Sequence, residues 1–215
     1  MNTFFKIIFL FVVFHLVGCS DLNLNSISYS RIELTGPESE AVSDVINIYK
    51  DSIDVSLDNI IGFSDQLYTK GDFNSKRFNS TLGNLIADIL FIQSDSVFKF
   101  QENKNIDIVI QNHGGIRASL PKGEVKLTDA YKILPFENEI VIVEMGGESL
   151  SEIVSFLKNE TIPHPFSGLT INGNVVLVQN NPIKPTNKYY IAINDYLLTG
   201  GDNMFFFNKN TEVYR

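Results

Sequence analysis

The feature that most constrains the fold of this chain is a change in apolar period between two neighbouring segments. Over residues 82–90 the apolar side chains recur at i, i+3, i+4, i+7 and i+8, which predicts a helix with one buried face. Ser80 or Thr81 can cap the start of this helix. The run IDIVI at 106–110 is instead continuously apolar between polar flanks, which is typical of a buried strand. Together, the predicted helix and the predicted strand favour a fold in which helices pack on a sheet.

Period and turn residues predict further strands along the chain. They lie at RIELT (31–35), IVIVEM (140–145), GLTI (168–171), NVVLVQ (174–179) and YYIAI (189–193). Helical patterns come between the earlier strands, and a run of strands closes the chain. The predicted fold class is therefore mixed α/β (α+β), as a single domain over residues 30–215.

Three more helices are predicted. One runs from Glu38 to about Ile60, and a short one covers LTDAYKIL (127–134), with Thr128 at its start and Pro135 after its end. In the third, Ser149 and Glu152 have the spacing of a capping box. Asp88, Asp107 and Asp129 fall on a helix surface, a strand start and a first helical turn, which indicates structural roles.

The N-terminus has the pattern of a targeting segment. Residues 7–17 are apolar but too short to span a bilayer comfortably, and Leu16-Val17-Gly18-Cys19 resembles a bacterial lipobox. We expect residues 1–18 to be a signal peptide, and residues 19–29 to be a lipidated Cys19 with a polar tether. The chain would then be lipid-anchored in the cell envelope, in the periplasm or on the outer surface. The alternative is an ordinary secretory signal, with Cys19 lost or free.

Composition limits the partners. The formal net charge is −8, which argues against a nucleic-acid polymer, because phosphate backbones are held by basic patches. It does not exclude one small nucleotide that is held by one or two arginines. Cys19 is the only cysteine, so no disulfide and no cluster of metal thiolates can form within the chain.

Three segments place glycine or proline beside polar and aromatic residues at the end of a predicted element. They are QNHGGIR (111–117), LPFEN (134–138) and NDYLLTGGDNMF (194–205). Glycine allows positive φ and lets a ligand approach the backbone closely. Each segment alone is better explained by a plain turn, a core plug or a hairpin, so a functional interpretation depends on the order and spacing of all three.

Together with TLGNLIAD (81–88) and SGL (167–169), these segments resemble the C-terminal, substrate-binding domain of the 5′-nucleotidase family. The resemblance covers roughly residues 30–215. It implies that Phe136 and Tyr196 form the two sides of a slot that stacks a nucleobase, and that Arg117 binds the ribose or phosphate. Flat aromatic rings stack many different bases, and the planar donor fork of arginine suits phosphate.

The resemblance also implies roles for smaller polar and glycine residues. Asn112 and Asn138 would offer amides to the base edge or the sugar, Asp202 would accept hydrogen bonds from ribose hydroxyls, and Gly168 would leave room beside the base. A second family arginine matches Arg77, with Lys76 as the alternative. Tyr196 stands where phenylalanine is frequent, and His113 replaces a glycine. A lone histidine at such a place is more often structural than catalytic.

Hydrolysis in this family is performed by a separate metallophosphatase domain that binds two divalent metal ions. The chain has only His113 and His164 beyond the predicted signal, and it lacks DxH and GNHE segments. We therefore expect no catalytic residue, no metal and no cofactor on this chain, and divalent metals (Mn, Zn, Mg or Ca) on a partner chain. Three hypotheses stay open: the substrate-binding half of a split nucleotidase, a binding protein for nucleosides or nucleotides without hydrolysis, and a degenerate domain kept for protein contacts.

Overall fold

A computed structural model describes residues 30, 32, 36–72 and 78–215. The predicted signal peptide, Cys19 and its tether, the strand at 31–35 except for residue 32, and the Arg77 and Lys76 positions lie outside these residues. The chain divides into two compact units, Met1–Val45 and Ile46–Arg215. In the described part of the chain no helix has the length and apolar character that crossing a membrane requires.

The structure confirms the mixed α/β class. Its helices are α1 (Glu40–Leu57), α2 (Thr81–Glu102), α3 (Leu127–Ile133), α4 (Gly147–Asn159) and α5 (Asp195–Leu198). Its strands are β1 (Ile60–Ser64), β2 (Ile108–Ile110), β3 (Gly123–Lys126), β4 (Ile140–Gly146), β5 (Phe166–Ser167), β6 (Leu169–Asn172), β7 (Val175–Val178), β8 (Asn181–Pro182), β9 (Lys188–Asn194) and β10 (Glu212–Tyr214). Short 3₁₀ turns cover His113–Gly115, Gly201–Asn203 and Phe205–Lys209.

A five-stranded mixed sheet forms the centre of the second unit. Its strand order is β10-β4-β9-β2-β5, and only the β2–β9 pair is parallel. A two-stranded sheet, β1–β3, and a three-stranded meander, β6–β7–β8, lie outside it. The sequence patterns at 140–145, 168–171, 174–179 and 189–193 predict strands that the structure confirms.

Strand alternation gives the central sheet two buried faces. In β2, Ile108 and Ile110 join the core cluster that includes Leu150 and Leu157 of α4, whereas Val109 joins the cluster of Phe98 from α2. Strands β4 and β9 divide their side chains in the same way. Because successive side chains point to opposite faces, one apolar run fills both cores.

Helix α2 begins where the sequence predicts. Ser80 is the N-cap, and its hydroxyl accepts a hydrogen bond from the backbone N–H of Gly83 at 3.1 Å. Leu82 and Ile86 of the apolar stripe are buried, whereas Ile89 is half exposed. Truncation of a fully buried leucine such as Leu82 costs about 2–5 kcal/mol. The helix ends at an αL residue, Asn103, which is the kind of residue that tolerates this conformation.

Two helices begin without the N-terminal residues that the sequence predicts for this role, Thr128 in one and the Ser149–Glu152 capping box in the other. Helix α3 begins at Leu127, one residue before Thr128, and the Asp129 carboxylate accepts from the backbone N–H of Lys126 at 2.8 Å. Helix α4 begins at Gly147, so Ser149 lies inside the helix and forms no capping box with Glu152. The backbone N–H of Gly147 donates instead to the Asn187 carbonyl, a tertiary contact that no local pattern shows.

Helix α1 is confirmed, but within narrower bounds, since the chain turns into β1 at Ile60. Its apolar residues are exposed rather than buried. Val42 and Val45 are 57% and 58% exposed, and Ile46 and Ile48 are 54% and 71% exposed. The helical period was thus read correctly, whereas the burial it usually implies is absent here.

Candidate functional site

Three strand ends meet at one edge of the central sheet. Strands β2 and β9 are parallel, so the end of β9 at Asn194 and the residues that follow β2, from Gln111, lie at the same edge. Strand β4 runs the other way, and its first residue, Ile140, pairs with Asn194. The segment before β4 therefore reaches this edge as well. In open α/β sheets, ligands bind beyond the carboxyl ends of the strands.

A pocket of about 300 Å³ lies at this edge, and we call it the outer pocket. It contains six of the residues that the sequence selects, together with Gly114. The six are Asn112, Arg117, Phe136, Asn138, Tyr196 and Asp202. They come from all three predicted segments, so the fold brings together in space what the sequence separates. Phe136 is 55% exposed and Tyr196 43% exposed, which leaves their ring surfaces available to a ligand.

A buried amide cluster fixes Asn112. The Nδ2 of Asn194 donates to the Oδ1 of Asn112 at 3.0 Å and to the Oε1 of Gln111 at 3.3 Å. The Oδ1 of Asn194 caps α5 by accepting from the backbone N–H of Leu197 at 3.1 Å. The three amide side chains are 3–8% exposed. Buried hydrogen-bonded amides hold a side chain in one orientation, so Asn112 reaches the pocket pre-organised.

Tyr196 and Asp202 form one hydrogen-bonded unit. The Tyr196 hydroxyl donates to Oδ1 of Asp202 at 2.8 Å and accepts from the Asp202 backbone N–H at 3.2 Å. The hydrogen bond to the carboxylate raises the pKa of the Tyr196 phenol. The hydroxyl that distinguishes Tyr196 from phenylalanine therefore holds the Asp202 carboxylate beside the ring.

Glycines of the GGD turn let the Tyr196 ring lie against the backbone. A Cβ at Gly201 would come within 2.4 Å of Cε1 in that ring. At Gly200 the φ angle is +90°, and a Cβ there would come within 2.6 Å of the Phe205 ring. Asp202 also has a left-handed backbone, with φ 49°, which aspartate adopts more readily than most residues.

Arg117 lies at the mouth of the outer pocket. Its Nη1 donates to the Gly114 carbonyl at 3.2 Å, and its guanidinium carbon is 6.0 Å from the Phe136 ring centroid. Lys70, which the sequence analysis missed, donates to the neighbouring Ile116 carbonyl. Burial, and then the Arg117 charge, lower the pKa of Lys70. An anion at this place would relieve the repulsion between the two cations.

The two histidines support the turn that carries Asn112. Nδ1 of His164 accepts from the backbone N–H of His113 at 3.2 Å, which requires that Nδ1 be unprotonated. Burial lowers the pKa of His164, which is 8% exposed. Burial and then the Lys70 charge lower the pKa of His113. Both are neutral near pH 7, as structural histidines would be.

Gly168 is not brought to the outer pocket. A Cβ on it would come within 2.2 Å of the Asp107 carbonyl and 2.9 Å of the Phe91 ring, and its φ is +78°. It lines a different surface depression, with Phe78 and Asp88. This glycine therefore serves the close approach of two backbone segments. Arg77 lies outside the described residues.

The three aspartates that the sequence assigned to structural roles have such roles. Asp88 accepts from the Ser167 hydroxyl at 2.7 Å, and Asp107 accepts from the backbone N–H of Tyr190 at 2.8 Å. Asp129 caps α3, as described above. Across residues 36–72 and 78–215, together with residues 30 and 32, no group of three or more His, Cys, Asp or Glu side chains could hold a metal ion.

The sequence analysis missed several residues that shape the site: Gln111, Asn194, Lys70 and Gly201. The first two were inside the selected segments, and a polar residue directly after a buried strand could have been the signal. Nothing in the local pattern separates Lys70 from the other surface lysines, since its position depends on the fold. Gly201 was part of the GGD turn, but its close contact with the Tyr196 ring is visible only in the three-dimensional structure.

Comparison with known proteins agrees with this geometry. A family model described as "5′-nucleotidase, C-terminal domain" matches residues 60–209. The chain belongs to this family. The match spans the region from β1 to the last 3₁₀ turn, and so includes the whole outer pocket.

Relatives of the domain are longer proteins. The chain is 29% identical over 154 residues to cell wall protein Lmo0130 of Listeria monocytogenes, which covers 60% of this chain and 19% of that protein. It is 45% identical over 49 residues to a probable 5′-nucleotidase of Treponema pallidum, covering 23% of this chain and 8% of the relative. The chain thus spans less than a quarter of either protein.

Solved structures show the same fold. The 5′-nucleotidase precursor of Thermus thermophilus superposes with a TM-score of 0.60 at 20% identity, over 83% of this chain and 38% of that one. A putative 5′-nucleotidase of Staphylococcus aureus gives 0.60 at 16% identity, over 86% and 39%. At these identities the likeness establishes the fold alone.

Proposed function

We propose that this domain binds a nucleoside or nucleotide in the outer pocket, with the base stacked between Phe136 and Tyr196. The observation that carries the proposal is the convergence of two exposed rings, one arginine and one tyrosine-bound carboxylate around a single pocket. Stacking on aromatic rings contributes about 1–3 kcal/mol per base. Asp202 keeps Oδ2 for ribose hydroxyls, because its Oδ1 accepts from Tyr196.

Arg117 is the phosphate or ribose ligand in this proposal. Lys70 adds a second positive charge close to it, as the electrostatic coupling of the two side chains indicates. Asn112 and Asn138 supply amides to the base edge or the sugar. Since Asn112 is held by Asn194, it needs little reordering when a ligand enters.

We also propose that hydrolysis, where it occurs, requires a separate metallophosphatase chain that supplies divalent metals such as Mn, Zn, Mg or Ca. The reaction would take place where that chain meets the outer pocket. The family match and the names of its relatives, several of which are 5′-nucleotidases, support this assignment. The alternative is a surface protein that captures nucleosides or nucleotides without hydrolysis.

A lipid anchor at Cys19 completes the proposal and places the domain in the cell envelope, in the periplasm or on the outer surface. The lipobox-like residues 16–19 support it. Mass spectrometry of the N-terminal peptide would show a diacylated Cys19, and Cys19→Ala would move the protein out of the membrane fraction. An unmodified Cys19 in the native host would contradict the anchor and leave the binding proposal intact.

The binding proposal is tested by calorimetric titration of the full chain, in mild detergent, with adenosine and with AMP. Phosphate release is followed in the same samples after manganese is added. We expect binding of both ligands without hydrolysis. Phe136→Ala and Tyr196→Ala should each weaken binding by about 1–3 kcal/mol. Phe100→Ala is the matched control, because Phe100 is 90% exposed on α2 and does not line the outer pocket.

Each result has a distinct meaning. If the folded wild-type chain binds neither ligand at millimolar concentration, the proposed function is refuted. Phosphate release by the chain alone would refute the need for a second chain. Addition of a metallophosphatase chain that is encoded beside this one should produce phosphate release if the two chains form one enzyme. Ligand binding that stays the same, with no phosphate release after that addition, would favour the capture protein.

A further inference from the structure

A second cavity of about 170 Å³ adjoins the outer pocket, and we call it the inner pocket. The two pockets share Asn112, Phe136 and Asn138, so they adjoin each other along these side chains. The rest of the inner lining is mostly apolar, from Ile86, Leu90, Ile116, Leu134 and Ile140, with Gly115 and two amides, Gln111 and Asn194. It is thus a small apolar space with few polar groups.

One polar atom in this lining has no assigned role in the fold. The side chain of Gln111 is 7% exposed, and its Nε2 is buried with no hydrogen-bond partner in the described part of the chain. Its Oε1, by contrast, accepts from Asn194. Native proteins rarely leave a buried amide N–H₂ unpaired, because the lost hydration is not replaced.

Each amide oxygen in the cluster around Gln111 accepts a hydrogen bond, whereas the buried Nε2 of Gln111 donates none within the described residues. Oδ1 of Asn194 accepts from Leu197, and Oδ1 of Asn112 accepts from Asn194. Nδ2 of Asn194 donates to both Gln111 and Asn112. The chain of hydrogen bonds thus starts at the N-cap of α5 and ends at Gln111, whose Nε2 remains available as a donor. A ligand group that meets this end must offer a hydrogen-bond acceptor.

We propose that the inner pocket selects the base, and that Gln111 Nε2 donates to the carbonyl oxygen at C6 of a purine or at C4 of a pyrimidine. This inference rests on the proposed function, because it needs a base on Phe136. Asn112 and Asn138 line both pockets, so a ring that lies on Phe136 with its edge toward these amides also faces the inner pocket. The preferred ligands are 6-oxopurine and 4-oxopyrimidine nucleosides. A 6-amino or 4-amino group would place a donor against the Gln111 donor.

The test compares nucleosides that differ at this one group. Titration of the full chain with inosine and adenosine, and with uridine and cytidine, should show tighter binding of inosine than of adenosine and of uridine than of cytidine. We expect a preference on the order of tenfold, as one hydrogen bond to a buried group provides. Gln111→Met keeps the shape without the amide and should abolish the preference. Gln101→Met makes the same change on the exposed surface of α2 and should preserve it.

A second measurement does not depend on the stability of the variant. In the ¹⁵N spectrum of the wild-type protein, the side-chain amide signals of Gln111 should shift with inosine and not with adenosine. Equal affinities within each pair, or a preference that survives in Gln111→Met, would overturn the inference and leave a pocket that only water fills. Failure of all four nucleosides to bind would instead refute the proposed function, so the two failures are distinct.

Discussion

Gly201→Ala should damage the outer pocket while leaving the fold almost intact. A Cβ at this position would lie 2.4, 2.5 and 2.6 Å from three atoms of the Tyr196 ring. Ordinary contact begins near 3.4 Å, so the ring has to move by about 1 Å. The hydrogen bond from Tyr196 to Asp202, now 2.8 Å, would stretch beyond bonding distance. One substitution thus displaces the ring and releases the carboxylate.

The size of the effect follows from what the displaced groups do. Loss of most of one stacking face is worth about 1–2 kcal/mol, which is roughly a five- to thirtyfold weaker affinity. The cost in unfolding free energy should be about 1 kcal/mol or less, because Tyr196 is 43% exposed and its hydrogen bond contributes only modestly. Gly200→Ala is the contrast: its φ of +90° makes it destabilising regardless of the pocket.

Titration with adenosine and thermal unfolding together provide the assay. Gly146→Ala is the matched control, because a Cβ there meets no atom within 4 Å. A double-mutant cycle with Tyr196→Ala isolates the mechanism. If Gly201→Ala acts through the ring, it should cost little further affinity once Tyr196 is alanine. Additive losses would refute the reasoning, as would an unchanged affinity in the single variant.

Three further predictions concern the surroundings of the pocket. Arg117→Ala should weaken AMP more than adenosine if the guanidinium reaches phosphate, and equal losses in the titration would assign it to the sugar. Asn194→Ala should lower the unfolding free energy by about 1–3 kcal/mol, because it removes the α5 cap and a buried donor to Asn112, with chemical denaturation as the measurement. Burial lowers the pKa of His164 below its ordinary 6.5, so the stability it contributes is present above pH 6.5 and is lost as the pH falls through its folded-state pKa. The melting temperature of the wild type should therefore fall more steeply below pH 6.5 than that of His164→Asn. The Oδ1 of an asparagine can accept from the His113 N–H without titrating. Parallel curves of melting temperature against pH would contradict this prediction.

Elements with a strong internal period were predictable from the sequence. Strands β2, β4 and β9, and helix α2 at Leu82 and Ile86, are buried on the faces that their patterns indicate, because burial and period have the same cause there. Helix starts were less predictable where a tertiary partner replaces the local cap, as the Asn187 carbonyl does for α4. The exposure of α1 was also hidden, since an apolar stripe shows that a helix can be covered and does not show that it is.

The site divides in the same way. The residues of the outer pocket were selected through the resemblance to the 5′-nucleotidase family, and the structure gathers six of them around one cavity. Gly168 lies elsewhere, because the space it leaves is occupied by the Asp107 carbonyl. The roles of Gln111 and Asn194 depend on hydrogen bonds between strands that are distant along the chain. The spacing and composition of a short segment do not predict such hydrogen bonds.

The parallel pairing of β2 with β9 has a consequence for how the pocket comes into existence. The hydrogen bond between Asn112 and Asn194 joins residues that are 82 positions apart. Closing so long a loop is slow, so we infer that helices and hairpins form before the pocket does. Ligand binding would then report the last stage of folding, and a nucleoside would slow unfolding by holding together the two segments that meet latest.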